Sequence, residues 1–222
     1  LGTDGGGSIR RPAHFCGITG FKPTTGRVPK TDGFSRYGGI VNPIWQVGPM
    51  ARSVADLSLM YRLIAGSDGI DPTVPPLPVE SPPAKPLKGL RVAWFTDNGL
   101  MPADAECAAV TRSAVDALRE AGALVAEAVP DGMDMASSVY ERHYGADGGD
   151  GLRAYLAEIG SVEVSPLLQT VLERKARFHL SRDDLLRLWF DWDLLRERLT
   201  AFMQAFDVVV CPANPTLAVP HG

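Results

Sequence analysis

The period of hydrophobic and polar positions changes several times along the chain, and each change predicts an element. From residue 1 to 50, apolar residues come in ones and twos between turn formers, as in "GITGFKPTTGRVPKTDGFSRYGG". That pattern predicts brief strands joined by ordered loops. In "SVADLSLMYRLIAG" the period turns helical. Leu57, Met60, Tyr61 and Ile64 recur at helical spacing, Ser53 stands at the N-cap and Gly66 lies past the end. Residues 67–88 hold seven prolines and predict an extended, helix-free connector. "LRVAWF" (90–95) reads as a buried strand, residues 104–123 as an amphipathic helix closed by Gly122, and "LVAEAVP" (124–130) as another strand. Such a strand–helix–strand unit predicts a parallel pair with a right-handed crossover. Residues 133–206 are predicted mostly helical, broken at "GADGGDG" (145–151) and Pro166. The last helix, about 181–206, carries Leu185, Leu188, Trp189, Trp192, Leu195, Leu199, Phe202 and Phe206, with Ser181 and Asp184 as a variant capping box. "VVVCP" (208–212) predicts a short strand. No internal repeat is visible.

Composition fits this picture of a folded chain. Apolar residues make up 45% of the 222 and charged residues 22%, so a core can form. The net charge of −4 argues against a nucleic-acid backbone as partner. No apolar run reaches the ~18 residues of a membrane span, and no signal peptide is visible. Three scattered cysteines, Cys16, Cys107 and Cys211, indicate neither a zinc site nor a disulfide framework and suit a reducing cytoplasm. Lysine is scarce: Lys22, Lys30, Lys85, Lys88 and Lys175 are the full set. The chain starts at Leu1 directly before a glycine run and ends on "PTLAVPHG". Both ends read as cut, so an internal piece of a longer protein is expected.

The candidate chemistry lies in "GTDGGGSIRRPA", residues 2–13. No lysine follows Gly7, which rules out a phosphate-binding Walker loop; Arg10 stands where a dinucleotide fold or a hydrolase elbow needs glycine. A flexible linker fits poorly, because ordered-looking apolar sequence follows at once. Successive glycines let backbone N–H groups turn toward one point, and such a nest holds a developing oxyanion. A serine at its end adds a nucleophile for acyl transfer. No base stands beside it.

This stretch resembles the amidase signature family. The family pattern is D-x-G-G-S-[IV]-R-x-P-[AS], followed by G-[IVLC]-x-G-[FL]-K-P-[ST]-x-G. Asp4, Gly6, Gly7, Ser8, Ile9, Arg10, Pro12, Ala13, Gly17, Gly20, Lys22, Pro23 and Gly26 match it. "QVGPMARSVADL" (46–57) resembles the family's G-P-[ML]-[AT]-R-[ST]-V-x-D, and residues 67–222 resemble it only loosely. The resemblance implies an α/β fold, a mixed twisted sheet covered by helices on both faces, here one incomplete domain. Residues 1–66 would be its signature core, 67–88 the connector and 89–222 the α/β remainder. It also implies Ser8 as the acylated nucleophile and the amides of Gly5, Gly6, Gly7 and Ser8 as the oxyanion hole. Asp4 and Arg10 would brace the loop, and Lys22 would belong to a structural turn. The family's base is a lysine acting through a second serine in a cis peptide. Both precede the glycine run there, so in this sequence they are expected to be absent and the piece alone inactive.

The implied reaction is hydrolysis of a small carboxylic amide, with no metal or organic cofactor; a homodimer is left open. One alternative is the glutaminase subunit of the tRNA-dependent amidotransferase. That subunit carries S-[LS]-D-Q-[IV]-G-P where this chain has "NPIWQVGP", and Ile44-Trp45 at the acidic position favour a stand-alone amidase with a less polar substrate. Another alternative is a non-catalytic truncated homologue. A triad of Ser8 with His14, His143, His179 or His221 is weaker, given the absent elbow. Trp189, Phe190 and Trp192 read as core rather than an acyl pocket, and Cys16 as a buried structural thiol. The 145–151 loop lacks calcium-loop spacing and reads as a helix break. Ser35 and Tyr37 are left unplaced.

Overall fold

Short runs between turn residues fix the N-terminal architecture. The computed structural model describes residues 1–31, 36–79 and 85–220. Ser35 and His221 lie outside the described residues, as does the side chain of Tyr37. Strand β1 (Gly2–Asp4) leads through the glycine run into helix α1 (Arg10–Phe15), and β2 (Thr19–Gly20) follows. A 3-10 turn, Arg36–Val41, precedes β3 (Gln46–Gly48) and β4 (Met50–Ala51). β1 pairs antiparallel with β3, Thr3 opposite Val47; β2 pairs antiparallel with β4. Helix α2 (Val54–Ile64) starts where the sequence predicts: the Ser53 hydroxyl accepts the Asp56 amide at 3.1 Å. Among the described residues of the proline-rich connector there is no helix.

The strand–helix–strand unit forms as expected, with shorter strands. β5 (Arg91–Trp94), α3 (Ala105–Glu120) and β6 (Leu124–Glu127) follow one another, and β5 pairs parallel with β6. Asp104 caps α3 by accepting the Cys107 amide at 2.8 Å, and Gly122 takes φ +89° just past its end. Four helices come next: α4 (Met133–Gly145), α5 (Asp150–Glu158), α6 (Pro166–Ala176) and α7 (Arg182–Phe202). Pro166 begins α6 instead of interrupting it, since the first turn needs no N–H there. Ser181 accepts the Asp184 amide at 3.1 Å and donates its hydroxyl to the Asp184 carboxylate at 2.6 Å. Strand β7 (Val208–Val210) returns parallel to the other edge of β5, giving the order β6-β5-β7. Arg91 grips Asp207 through Nε at 3.1 Å and Nη2 at 3.0 Å beside that edge.

Parallel and antiparallel pairing both occur, as a mixed α/β fold requires. Among the described residues they fall in three small sheets, and β1 to β4 are only two or three residues long. The chain forms two compact units, Leu1–Glu80 with Ser138–Phe190, and Ser81–Ser137 with Asp191–Gly222. The first buries Ile9, Ala13, Val28, Leu57, Val139 and Leu172; the second buries Val92, Ala93, Cys107, Val115 and Leu195.

Two expectations about packing are corrected. Trp189 is 41% and Phe190 76% exposed, so neither is core; α7 buries Leu188 and Leu195, two turns apart on one stripe, and Phe190 points well off that stripe. Cys16 is exposed, not buried. It caps the short α1, its N–H donating to Pro12 O at 2.9 Å, where the chain turns outward.

Candidate functional site

Asp4 organises the glycine run. Its carboxylate is 0% exposed and ends β1. Oδ1 accepts the Gly7 amide at 2.7 Å, and Oδ2 accepts the Ile9 amide at 3.2 Å. The Arg10 side chain closes the ring, donating from Nε to Oδ2 and from Nη2 to Oδ1, both at 3.0 Å. Burial alone would raise this carboxyl, but the Arg10 and Gly7 hydrogen bonds, with the Arg10 charge and the Ile9 amide, hold it down at about 2. Gly7 sits at φ +103°, which only glycine adopts without strain. Its carbonyl accepts the Arg11 amide at 2.8 Å and so starts α1. The sequence thus makes a loop clamped from inside, not a linker.

The clamp changes the expected donor set. The Gly7 amide is taken by Asp4 and does not face outward. Among the described residues no acceptor bonds the amides of Gly5, Gly6 or Ser8. Gly5, Gly6 and Ser8 form, with Thr3, one side of a cavity of about 460 Å³. Val41 and Trp45 form another side, Tyr140 and Tyr144 from α4 a third, and Arg11 and Arg174 add two cations. No lysine or histidine lines it among the described residues.

The aromatic walls are backed by buried polar groups. Lys30 is 1% exposed, with Nζ on Asn42 Oδ1 and 5.9 Å from the Trp45 ring centre. Burial pushes its ammonium down, Asp71 counters this and Lys22 adds to it. Lys175 is 7% exposed and lies 4.4 Å from the Tyr144 ring centre. Its ammonium also donates to the Tyr144 carbonyl and, at 3.3 Å, to Asp147 Oδ1. Asp147 caps the break between α4 and α5 by accepting the Gly149 and Gly151 amides. The 145–151 segment is therefore a helix break pinned by its own aspartate.

Of the residues expected from sequence, Asp4, Gly5, Gly6, Gly7, Ser8 and Arg10 come together around one loop. Lys22 is half-buried and does not line the cavity. Burial lowers its ammonium, with Asp4 raising and Arg10 lowering it further. His14 packs its ring against Phe15, His143 against Trp189, and His179 is exposed. Sequence reasoning does not find Tyr140, Tyr144 and Arg174. Their one visible signal is the i,i+4 spacing of the two tyrosines, which puts both on one face of a helix.

The Amidase family model matches residues 1–222. This chain belongs to the amidase family. The homologous subunit of the glutamyl-tRNA(Gln) amidotransferase of Roseiflexus sp. (strain RS-1) is 34% identical over 247 residues, covering 100% of this chain and 50% of that protein. The acylamidase of Rhodococcus erythropolis is 33% identical over 237 residues, 98% of this chain and 44% of that one. A solved fatty acid amide hydrolase superposes with a TM-score of 0.86 at 29% identity, over 100% of this chain and 40% of its own. The amidase chain spans about half the length of such curated relatives. Among the described residues no helix is long and apolar enough to cross a membrane.

The clamp on this amidase loop makes a pH prediction. Asp4 titrates near 2 when folded and near 3.8 when free, so its stabilisation is complete above the free value and is lost as pH falls toward 2. The shift is worth about 2 kcal/mol. Urea melts at pH 6 and at pH 2.5 should show a larger acid loss for the native protein than for Asp4→Asn, by about two thirds of that amount, because pH 2.5 still lies above the folded value.

Proposed function

We propose that this chain carries the nucleophile loop of an enzyme that hydrolyses a carboxylic amide. The observation that carries the reading is Ser8 opening onto the 460 Å³ cavity beside amides that Asp4 leaves unbonded. Ser8 Oγ attacks the carbonyl carbon as its proton passes to a base. The carbonyl oxygen, now an anion, is held by the amides of Gly5, Gly6 and Ser8. The C–N bond then breaks, the amine leaves protonated, and water hydrolyses the acyl-serine. A neutral lysine acting through a second serine is the family's proton acceptor, and burial is what keeps such a lysine neutral.

Trp45 and Val41 give one cavity wall an apolar character, which favours an acyl group less polar than that of glutamine. The fatty acid amide hydrolase that superposes on this chain is named for such an acyl group. A glutaminase reading stands beside it, supported by the match to the amidotransferase subunit over the whole chain.

A fluorophosphonate probe on the full-length protein tests the reading. Peptide mass spectrometry should find the adduct on Ser8, and Ser8→Ala should abolish it. A folded full-length protein that takes no adduct at Ser8 overturns it. Glutamine turnover that requires added partner subunits would select the second reading.

A further inference from the structure

Tyr140 comes from α4, far in sequence from the motif loop, and lines the same cavity. Its hydroxyl lies so close over Gly6 that a Cβ there would overlap it, with Cζ at 3.0 Å from the same point. Glycine at position 6 therefore makes room for a phenol against the loop.

The phenol is held in place from behind. Its ring stacks on Tyr144 with centres 5.9 Å apart and planes 13° from parallel. Lys175 fixes Tyr144 in turn, through its ring face and its carbonyl. The hydroxyl itself has no hydrogen-bond partner among the described residues, while the ring is half-buried. Burial, with Tyr144 and Glu141 next, raises the phenol above its ordinary value, so it remains an O–H donor throughout the neutral range. Ser8 and the unbonded amides of Gly5 and Gly6 line the same cavity.

We infer that Tyr140 is a catalytic residue: its O–H donates to the carbonyl oxygen of the amide over the Gly5–Gly6 amides, and holds that oxygen as it becomes an anion. The inference rests on the amide-hydrolase reading of Ser8. A side-chain donor is thereby added to the backbone amides of Gly5, Gly6 and Ser8 at one oxygen. A phenol placed by stacking needs no reorganisation during the reaction, which is what makes a preorganised donor effective. No bond is made or broken at Tyr140.

Tyr140→Phe removes the hydroxyl and keeps the stacked ring. The test is the rate at which a fluorophosphonate phosphonylates Ser8 in the full-length protein, resolved into kinact and KI, beside a thermal melt. The phosphonyl oxygen takes the place of the carbonyl oxygen. The expected result is a kinact about 100- to 1,000-fold lower, with KI and the melting temperature nearly unchanged. A purely structural tyrosine would not give that split. A kinact within threefold of the native value, or a change confined to KI, overturns the inference and leaves the Ser8 reading standing. Labelling of the native protein no faster than that of Ser8→Ala overturns both.

Discussion

Asp4→Ala is expected to destabilise the protein by about 2–6 kcal/mol, the cost of leaving two buried amides without an acceptor. The estimate can be built from the atoms. The carboxylate accepts two buried amides, Gly7 and Ile9, and three nitrogens of Arg10, its backbone amide and two of its guanidinium. Truncation leaves both amides without an acceptor, each at about 1–3 kcal/mol. Arg10 is half-exposed and can turn to water, so its share is smaller. Asp4→Asn should recover less than half of the loss. One amide oxygen can still accept Gly7 N–H, but the new NH₂ group faces donors only. Since whole domains are stable by about 5–15 kcal/mol, Asp4→Ala should also release the loop locally and remove Ser8 labelling. Urea melts of the full-length variants check this, and a loss under about 1 kcal/mol would show that Asp4 is not the anchor.

The two halves of this site differ in how much the sequence reveals. Asp4, Ser8 and Arg10 are legible because a clamp closed within six residues needs its parts at fixed spacing. The same closeness hides one detail. Whether Gly7 N–H turns toward Asp4 or toward the cavity depends on a φ of +103°, and three glycines in a row allow either. Tyr140 and Tyr144 are far from the loop in sequence, and nothing local distinguishes a cavity face from a core face on α4. The fold shows the same division. Helix α2 and helix α3 begin at Ser53 and Asp104 because capping is a local interaction. The partners of β1 to β4 depend on contacts across 30 to 46 positions, and strands this short carry too few alternating residues to announce their register. Phe190 misleads a sequence reading for a related reason. A long helix rich in aromatics has more apolar residues than its buried stripe can hold.

Gly48→Ala is expected to cost about 3 kcal/mol, at the upper end of what overpacking does. Gly48 lies in β3 opposite Gly2, on the strand that carries the loop's partner. A Cβ there would overlap the carbonyl oxygen of Phe21, with Pro23 Cδ at 2.8 Å and Ile9 Cδ1 at 3.1 Å. The first is backbone and the second a ring, so neither can swing aside as a long side chain would. The 21–23 segment is itself tied to the next residue, since Phe21 N–H donates to Pro49 O at 3.0 Å. Relief must come from shifting β3, and β3 is paired to β1, which ends on Asp4. The strain therefore reaches the clamp, and Ser8 labelling should slow along with the loss of stability. Gly17→Ala is the control. Gly17 has φ +63° but open space around its missing Cβ, so it should cost only about 1 kcal/mol of backbone strain and leave labelling unchanged. Gly48 itself has no positive φ, so a loss no larger than that of Gly17→Ala would mean that residues 21–23 move aside and that their close approach is not what requires glycine at position 48.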